Sequence, residues 1–243
     1  MDWRDDGIVL SARRHGENAL IVNLLTREHG RHSGLVRGGA SARNRGLYQP
    51  GNRLAAHWRA RLSEHLGNFT CELQKAWAAS LLHEAQPLLA LSAATALLDS
   101  ALPERAPVPD LFESLEGLIE SLSRDGWRER YVRWEMALLT ELGFGLDLSA
   151  CAATGEAEDL IYVSPKSGRA VSAAAGRLYK DRLLPLPGFL LSDGDSATDI
   201  DFAAGLSLTG YFLGKFVLGD SRNGLPAARQ RLGENCTNRS GSA

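Results

Sequence analysis

Apolar and polar residues alternate along the first third of this chain. The clearest run is Arg53 to Leu62. There Leu54, Ala56, Trp58, Ala60 and Leu62 share one parity, and Arg53, Ala55, His57, Arg59 and Arg61 the other. Phe69, Cys71 and Leu73 alternate with Thr70, Glu72 and Gln74 in the same way. A period of two marks a half-buried strand, whose successive side chains point to opposite faces. Gly7 to Leu10 and Ala19 to Leu25 are apolar runs, and Leu35-Val36 leads into Gly38-Gly39. Five short strands punctuated by Gly and Asn predict a small antiparallel barrel, and the OB-fold is the commonest barrel of that kind.

From Lys75 onward the apolar residues recur at helical spacing. Leu81, Leu82, Leu88, Leu89, Leu91, Leu97 and Leu98 lie in an alanine-rich stretch that Pro87 is expected to interrupt and Pro103 to close. Asp110 can cap a helix from Leu111 to about Leu122. The next helix is expected over Trp127 to Leu142, with Tyr131, Trp134, Leu138 and Leu142 on one stripe and Gly143 as its stop. A loop-rich piece through Tyr179, a break at Pro185-x-Pro187 and a last helix from about Thr198 to Val217 follow. The predicted fold class is α+β.

Charge changes this picture more than composition does. Hydrophobic content of 44% and charged content of 23% are those of an ordinary globular protein. The net charge of −2 hides an asymmetry: residues 1–86 hold 12 Lys+Arg against 8 Asp+Glu, a net of +4, and the remainder a net of −6. Arg13 to Arg61 contains ten arginines and no lysine, against Glu17 and Glu28. A cationic surface on an otherwise acidic chain points to a polyanionic partner for that segment; the plain alternative is a solvated charged face. No apolar run reaches the roughly 18 residues of a membrane helix, so no membrane association is expected. The acidic, polar start Met1 to Asp6 does not read as a signal peptide. Three widely spaced cysteines, Cys71, Cys151 and Cys236, make no disulfide framework and predict a reducing, cytoplasmic location.

Catalytic signatures are missing. There is no GxxxxGK[ST] phosphate loop, no second histidine to complete a zinc-hydrolase helix at His83-Glu84, and no Gly-x-Ser-x-Gly elbow. Asp193, Asp195, Asp199 and Asp201 resemble a calcium loop, but Ala204 stands where the bidentate Glu is needed. Thr198, Asp199 and Asp201 read better as the start of a helix. Neither an enzyme activity nor a cofactor nor a bound metal is expected.

An ordered set of motifs carries a family resemblance. Gly7-Ile-Val-Leu leads to Gly16-Glu-Asn-Ala, Leu25-Thr-Arg-Glu-His-Gly, Val36-Arg-Gly-Gly and Gln49-Pro-Gly-Asn. Further on come Arg133-Trp-Glu-Met-Ala-Leu-Leu-Thr-Glu-Leu-Gly-Phe and Val163-Ser-Pro-Lys-Ser-Gly. From near its start to about Leu218 the chain resembles the RecO family of recombination mediators. The resemblance implies an amino-terminal OB-fold β-barrel for DNA binding at 1–76 and a helical domain at 77–146. A small zinc-finger-like insert would follow at 147–180, and a carboxy-terminal helical part packing on the helical domain at 181–236. Residues 237–243 are expected as a disordered tail. The resemblance also implies binding and annealing of DNA, single- and double-stranded, and contact with RecR and the tail of the single-strand-binding protein. A nucleoid-associated location goes with it, and no catalysis. Some relatives carry a four-cysteine zinc site in the insert. Here only Cys151 is kept, with Thr154, Ser172 and Ala175 at the other positions, so the insert is degenerate and one thiolate cannot hold a structural zinc.

Single-strand binders of this fold track the backbone with cations and stack bases on aromatics. The candidate phosphate contacts are Arg37, Arg43, Arg45, Arg53, Arg59 and Arg61, with His57 on the same strand face. Trp58 points to the core by parity, which leaves Tyr48 as the stacking candidate. For an acidic, apolar-ended peptide the candidates are Arg130 and Arg133, whose alternative role is pairing with Glu129 and other acids of their helix. The competing reading of the whole chain is a protein-interaction adaptor with a purely structural barrel.

Overall fold

The computed structural model describes residues 1–44, 46–192, 197–219 and 224–240, the last four by backbone alone. The chain divides into two compact units, Met1–Ser123 with Pro226–Arg229, and Arg124–Leu225 with the residues from Gln230 on.

The first unit is built on β1 (Asp2–His15), β2 (Ala19–Thr26) and β3 (Gly30–Val36), an antiparallel meander, followed by β4 (Arg53–Arg59) and β5 (Asn68–Lys75). β4 pairs with β1 and with β5, and β5 meets β3 in parallel, closing a barrel of order β1-β2-β3-β5-β4. This is an OB-fold, and with the helices that follow the class is α+β, as the alternation predicts. Parity sets the core: Val22, Leu24, Leu54, Ala56, Trp58 and Phe69 are buried inside, while Arg59 and Arg61 are exposed. β4 ends at Arg59, so Leu62, expected on the apolar face, is exposed in the loop that follows. Gly34 marks where β3 crosses the core: a Cβ there would lie 2.3 Å from a ring carbon of Phe69, so only hydrogen fits.

The barrel is followed in this unit by α1 (Trp77–Ser80), α2 (Ala85–Ala101) and α3 (Pro109–Ser121). α2 packs on β1 and α3 on β2. Pro87 does not interrupt α2. It sits in the first turn, where its missing N–H has no intrahelical acceptor to lose. α3 likewise begins two residues earlier than expected, with Pro109 opening the helix and Asp110 inside its first turn instead of at the cap.

The second unit starts with α4 (Trp127–Glu141), which ends with Gly143 at a φ of 85°, the left-handed stop its sequence predicts. The stretch expected to be loop-rich contains β6 (Leu160–Val163), β7 (Ala170–Ser172), α5 (Ala173–Gly176) and β8 (Leu184–Pro185), with a small sheet of order β7-β6-β8. α6 (Asp199–Phe212) opens on a capping box in which Thr198 Oγ1 accepts from the Asp201 N–H and the Asp201 carboxylate accepts from the Thr198 N–H. That confirms a capping role for Thr198 and Asp201; Asp193 and Asp195 lie outside the described residues. A π-helical turn, Leu213–Val217, ends this helix. α7 (Ala227–Ser240) was not foreseen; it buries Leu232 and Cys236 one turn apart and carries residues 237–240, expected as tail, in its last turn. Of the expected tail, residues 241–243 lie outside the described residues. No helix among the described residues is long and apolar enough to cross a membrane.

Candidate nucleic-acid interface

The register of the barrel brings several of its exposed arginines to one hairpin. Arg13 and Arg14, near the end of β1, face Ile21 and Leu20 of β2, and Leu20 faces Val36 of β3. Arg37 is the next residue along the chain, so it adjoins the same row. The loop beyond is held down rather than free. Gly38 takes a φ of 69°, and a Cβ on Gly39 would come within 2.9 Å of Val36 Cγ1. The Ala40 N–H donates to Asn18 O at 3.2 Å, and Asn44 Nδ2 donates to Gly38 O at 3.1 Å. Arg43 therefore stands on an ordered turn. Arg13, Arg14, Arg37 and Arg43 are all exposed, and none forms an ion pair with a described residue. Arg45 lies outside the described residues. Arg13 and Arg14 belong to the basic segment of the sequence, but only the strand register shows that they adjoin Arg37.

Four other candidates have partners within the protein. Tyr48 is not a stacking platform: it is 5% exposed, packs in the barrel core and hydrogen-bonds with the Cys71 thiol. Burial raises the Tyr48 hydroxyl well above its ordinary range and pushes the Cys71 thiol up to about 12, so both stay neutral. Its place beside a turn made Tyr48 look exposed, but the chain folds back there through Gly51 onto β1, with Gly51 N donating to Val9 O at 2.7 Å.

Arg53 is not a free phosphate contact either. It pairs with Glu116 of α3 and with Asp6 Oδ2 at 2.7 Å, and its guanidinium lies 6.0 Å from the centre of the Phe112 ring. Although burial works to raise the Asp6 carboxyl, Arg53 and Gln74 hold it below the usual carboxylate range. Arg27 and Lys75 are engaged in the same way by Glu113, Glu116 and Glu120. α3 thus neutralises one flank of the barrel.

His57 and Arg59 both reach Asp2, Arg59 Nε at 2.9 Å, and hydrogen bonding from His57 leads the lowering of the Asp2 carboxyl. Arg59 still exposes 71% of its side chain, and Arg61 is exposed without an ion pair to a described residue. Since Arg59 faces Asp2 and Arg13 lies at the far end of β1, the candidate arginines form two groups and not one strand face.

In the second unit Arg130 is exposed, with one guanidinium nitrogen donating to Asp125 O at 2.8 Å. Arg133 departs from both readings made of it. It donates to the carbonyls of Phe189 and Ser192, the latter at 2.9 Å, and so anchors the turn before α6. An apolar recess of about 180 Å³ lies elsewhere in this unit, between Phe144, Leu146, Phe212 and Phe216, with Lys166 in its lining. Lys215, in the π-helical turn, sits 5.0 Å from the centre of the Phe216 ring. No local pattern marks this recess, because its walls come from segments far apart in the chain.

Cys151 lies at one of the positions that the resemblance assigns to zinc ligands. The hydroxyls of Ser172 and Thr154 hydrogen-bond to the buried Cys151 sulfur and lower its thiol to about 6. The Ser172 N–H also donates to Cys151 Sγ at 3.3 Å. Three of the four positions inferred from the resemblance converge, but one sulfur and two hydroxyls do not fit zinc, which takes four N, S or carboxylate ligands here. Among the described residues no group of three or more His, Cys, Asp or Glu side chains is placed to hold a metal.

Comparison with known proteins agrees with this architecture. The family model for the Recombination protein O N terminal matches residues 1–76, and that for the Recombination protein O C terminal matches residues 83–217. The DNA repair protein RecO of Rhodospirillum centenum is 52% identical over 234 residues, covering 96% of this chain and 93% of the relative. The protein of that name from Rhodospirillum rubrum is 49% identical over 241 residues (96% and 96%), and that of Jannaschia sp. 51% over 235 (96% and 95%). The chain belongs to the RecO family of DNA repair proteins.

Proposed function

We propose that this protein is a non-catalytic recombination mediator that binds and anneals single-stranded DNA and acts with RecR to load recombinase. The observation that carries the reading is the group of exposed arginines without an ion pair to a described residue, with Arg13, Arg14 and Arg37 brought together by strand register and Arg43 on the turn that follows β3, at one edge of an OB barrel. Guanidinium groups without a protein partner are free to replace counterions on phosphate, and this requires no base sequence. Double-stranded DNA meets the same cations. The tail of the single-strand-binding protein, acidic with an apolar end, matches the recess of the second unit, where Phe144, Phe212 and Phe216 offer apolar surface and Lys166 and Lys215 offer charge. The reading places the protein in the cytoplasm, on the nucleoid.

A salt titration of single-strand binding tests this. Five free arginines, with Arg61 added, each neutralising one phosphate, give a slope of log affinity against log salt of roughly −3.5, at about 0.7 per contact. Raising salt from about 50 to about 200 mM then weakens binding on the order of a hundredfold. Replacing Arg37 and Arg43 together by Ala flattens the slope by about 1.4, equally for unrelated sequences. A folded double variant with the full slope removes this loop from the interface. A wild type with no salt slope favours the adaptor with a structural barrel, a reading to which the engagement of Arg27, Arg53 and Lys75 by α3 lends weight.

A further inference from the structure

A second feature of the barrel lies at the amino end of β1. Trp3 stacks on His29, with ring centres 4.1 Å apart and planes 8° from parallel, and its ring lies 5.6 Å from that of Trp58 at 18°. His32 stands edge-on to both, at 86° and 78°. These rings, with Asp2, Ser63 and Arg105, line an open cavity of about 470 Å³. His32 is only 5% exposed, yet neither of its ring nitrogens has a hydrogen-bond partner among the described residues, and the same holds for Arg105 Nε.

Arg105 is held in place. It adopts a left-handed φ of 62°, its N–H donates to Arg31 O at 2.8 Å, and its guanidinium donates to His65 O at 3.1 Å. A non-glycine residue in that conformation is costly and persists where its surroundings impose it. A buried ring with idle nitrogens is costly too, and a ligand that supplies partners relieves the cost.

The chemistry of the walls selects the ligand. Arg105 disfavours a cation, and the one carboxylate of the lining, Asp2, is already engaged by His57 and Arg59. A bare phosphate would leave the aromatic surface unused. A nucleobase has a π-face for the rings and both donors and acceptors on its edge for His32, and its neighbouring phosphate is an anion for Arg105. We propose that this cavity receives one base of a bound single strand, with Trp3 and His32 contacting the base and Arg105 the flanking phosphate. The inference rests on the single-strand reading above and adds a second contact point, away from the Arg13–Arg37 edge.

Binding of the full chain to oligothymidylate, and to an oligomer of equal length with abasic positions, tests it at fixed salt. The wild type should bind the base-bearing oligomer on the order of tenfold more tightly, with quenching of tryptophan fluorescence. Trp3→Leu should lower the affinity for oligothymidylate to that for the abasic oligomer, leaving the abasic affinity unchanged. His32→Phe keeps the ring and the fold, and should cost several-fold on the base-bearing oligomer alone. Equal wild-type affinities for the two oligomers, or a preference retained in both variants, overturns the base pocket while strand binding stands. Failure to bind either oligomer overturns both.

Discussion

The idle nitrogens of His32 make a prediction about stability that needs no ligand. Burial, followed by the positive charges of Arg105 and His29, lowers the His32 pKa from 6.5 to about 4. The folded protein therefore resists protonating a group that the unfolded chain protonates readily. Between these two values the unfolded state binds more protons, so stability rises with pH and falls on acidification. Integrating from pH 7.5 to pH 4.5 with 6.5 unfolded and about 4 folded gives a loss of about 2.5 kcal/mol, most of it below pH 6. Asp2 and Asp6, whose lowered carboxyls also lose stability in acid, act mainly below their ordinary value of 3.8 and are shared by any His32 variant. The comparison with His32→Phe isolates the histidine. Urea unfolding of both proteins, followed by tryptophan fluorescence for the barrel and by circular dichroism for the helices, should show the variant gaining about 2.5 kcal/mol on the wild type between the two pH values. It should already be somewhat more stable at pH 7.5, because two unpartnered buried nitrogens are gone. A gap that stays constant between pH 7.5 and pH 4.5 would refute the reasoning, since it would mean that the imidazole titrates alike in the folded and unfolded chains.

Other perturbations separate structural from functional cations. Arg53→Ala leaves Asp6 and Glu116 without their shared partner and should cost on the order of 1–2 kcal/mol in urea unfolding, with the salt slope of strand binding unchanged. A flattened slope in that variant would return Arg53 to the interface. Gly34→Ala forces a methyl group into the Phe69 ring and should destabilise the barrel by about 1–3 kcal/mol; near-wild-type stability would show that the β3–β5 crossing is looser than the 2.3 Å approach implies. Purified wild-type protein should carry no stoichiometric zinc, whereas Thr154→Cys, Ser172→Cys and Ala175→Cys together should bind about one per chain, because two of these side chains already converge on Cys151. Elemental analysis reads both, and zinc retained by the wild type through dialysis against a weak chelator would contradict the first.

The barrel was legible because its information is local. The alternation from Arg53 to Arg59 assigns each side chain to a face, and Leu54, Trp58, Arg59 and Arg61 lie on the sides it assigns. The helix stop at Gly143 and the box at Thr198 were legible for the same reason. What failed depends on long-range pairing. Arg53 has the parity of an exposed strand cation, but its charge is met by Glu116, 63 residues away. Tyr48 sits near a turn, yet the turn folds back onto β1 and takes the ring into the core. Arg133 could be placed on its helix but not matched to the carbonyls of Phe189 and Ser192. The clustering of Arg13 and Arg14 with Arg37 follows from strand register, which alternation does not specify between strands.

Glu113, Glu116 and Glu120 lie on one face of α3, spaced over about 10 Å by the rise of a helix. Held against Arg27, Arg53 and Lys75, these carboxylates occupy the place that successive phosphates would take on a bare cationic barrel. The protein thus carries an internal imitation of the polyanion along one flank. A nucleic acid approaching that flank meets sites already filled, and displacing an attached helix is harder than displacing free counterions. On the proposed reading, strand contact would be confined to the edges that α3 leaves open, which would limit the footprint to a few nucleotides and leave the rest of a bound strand accessible for pairing with its complement.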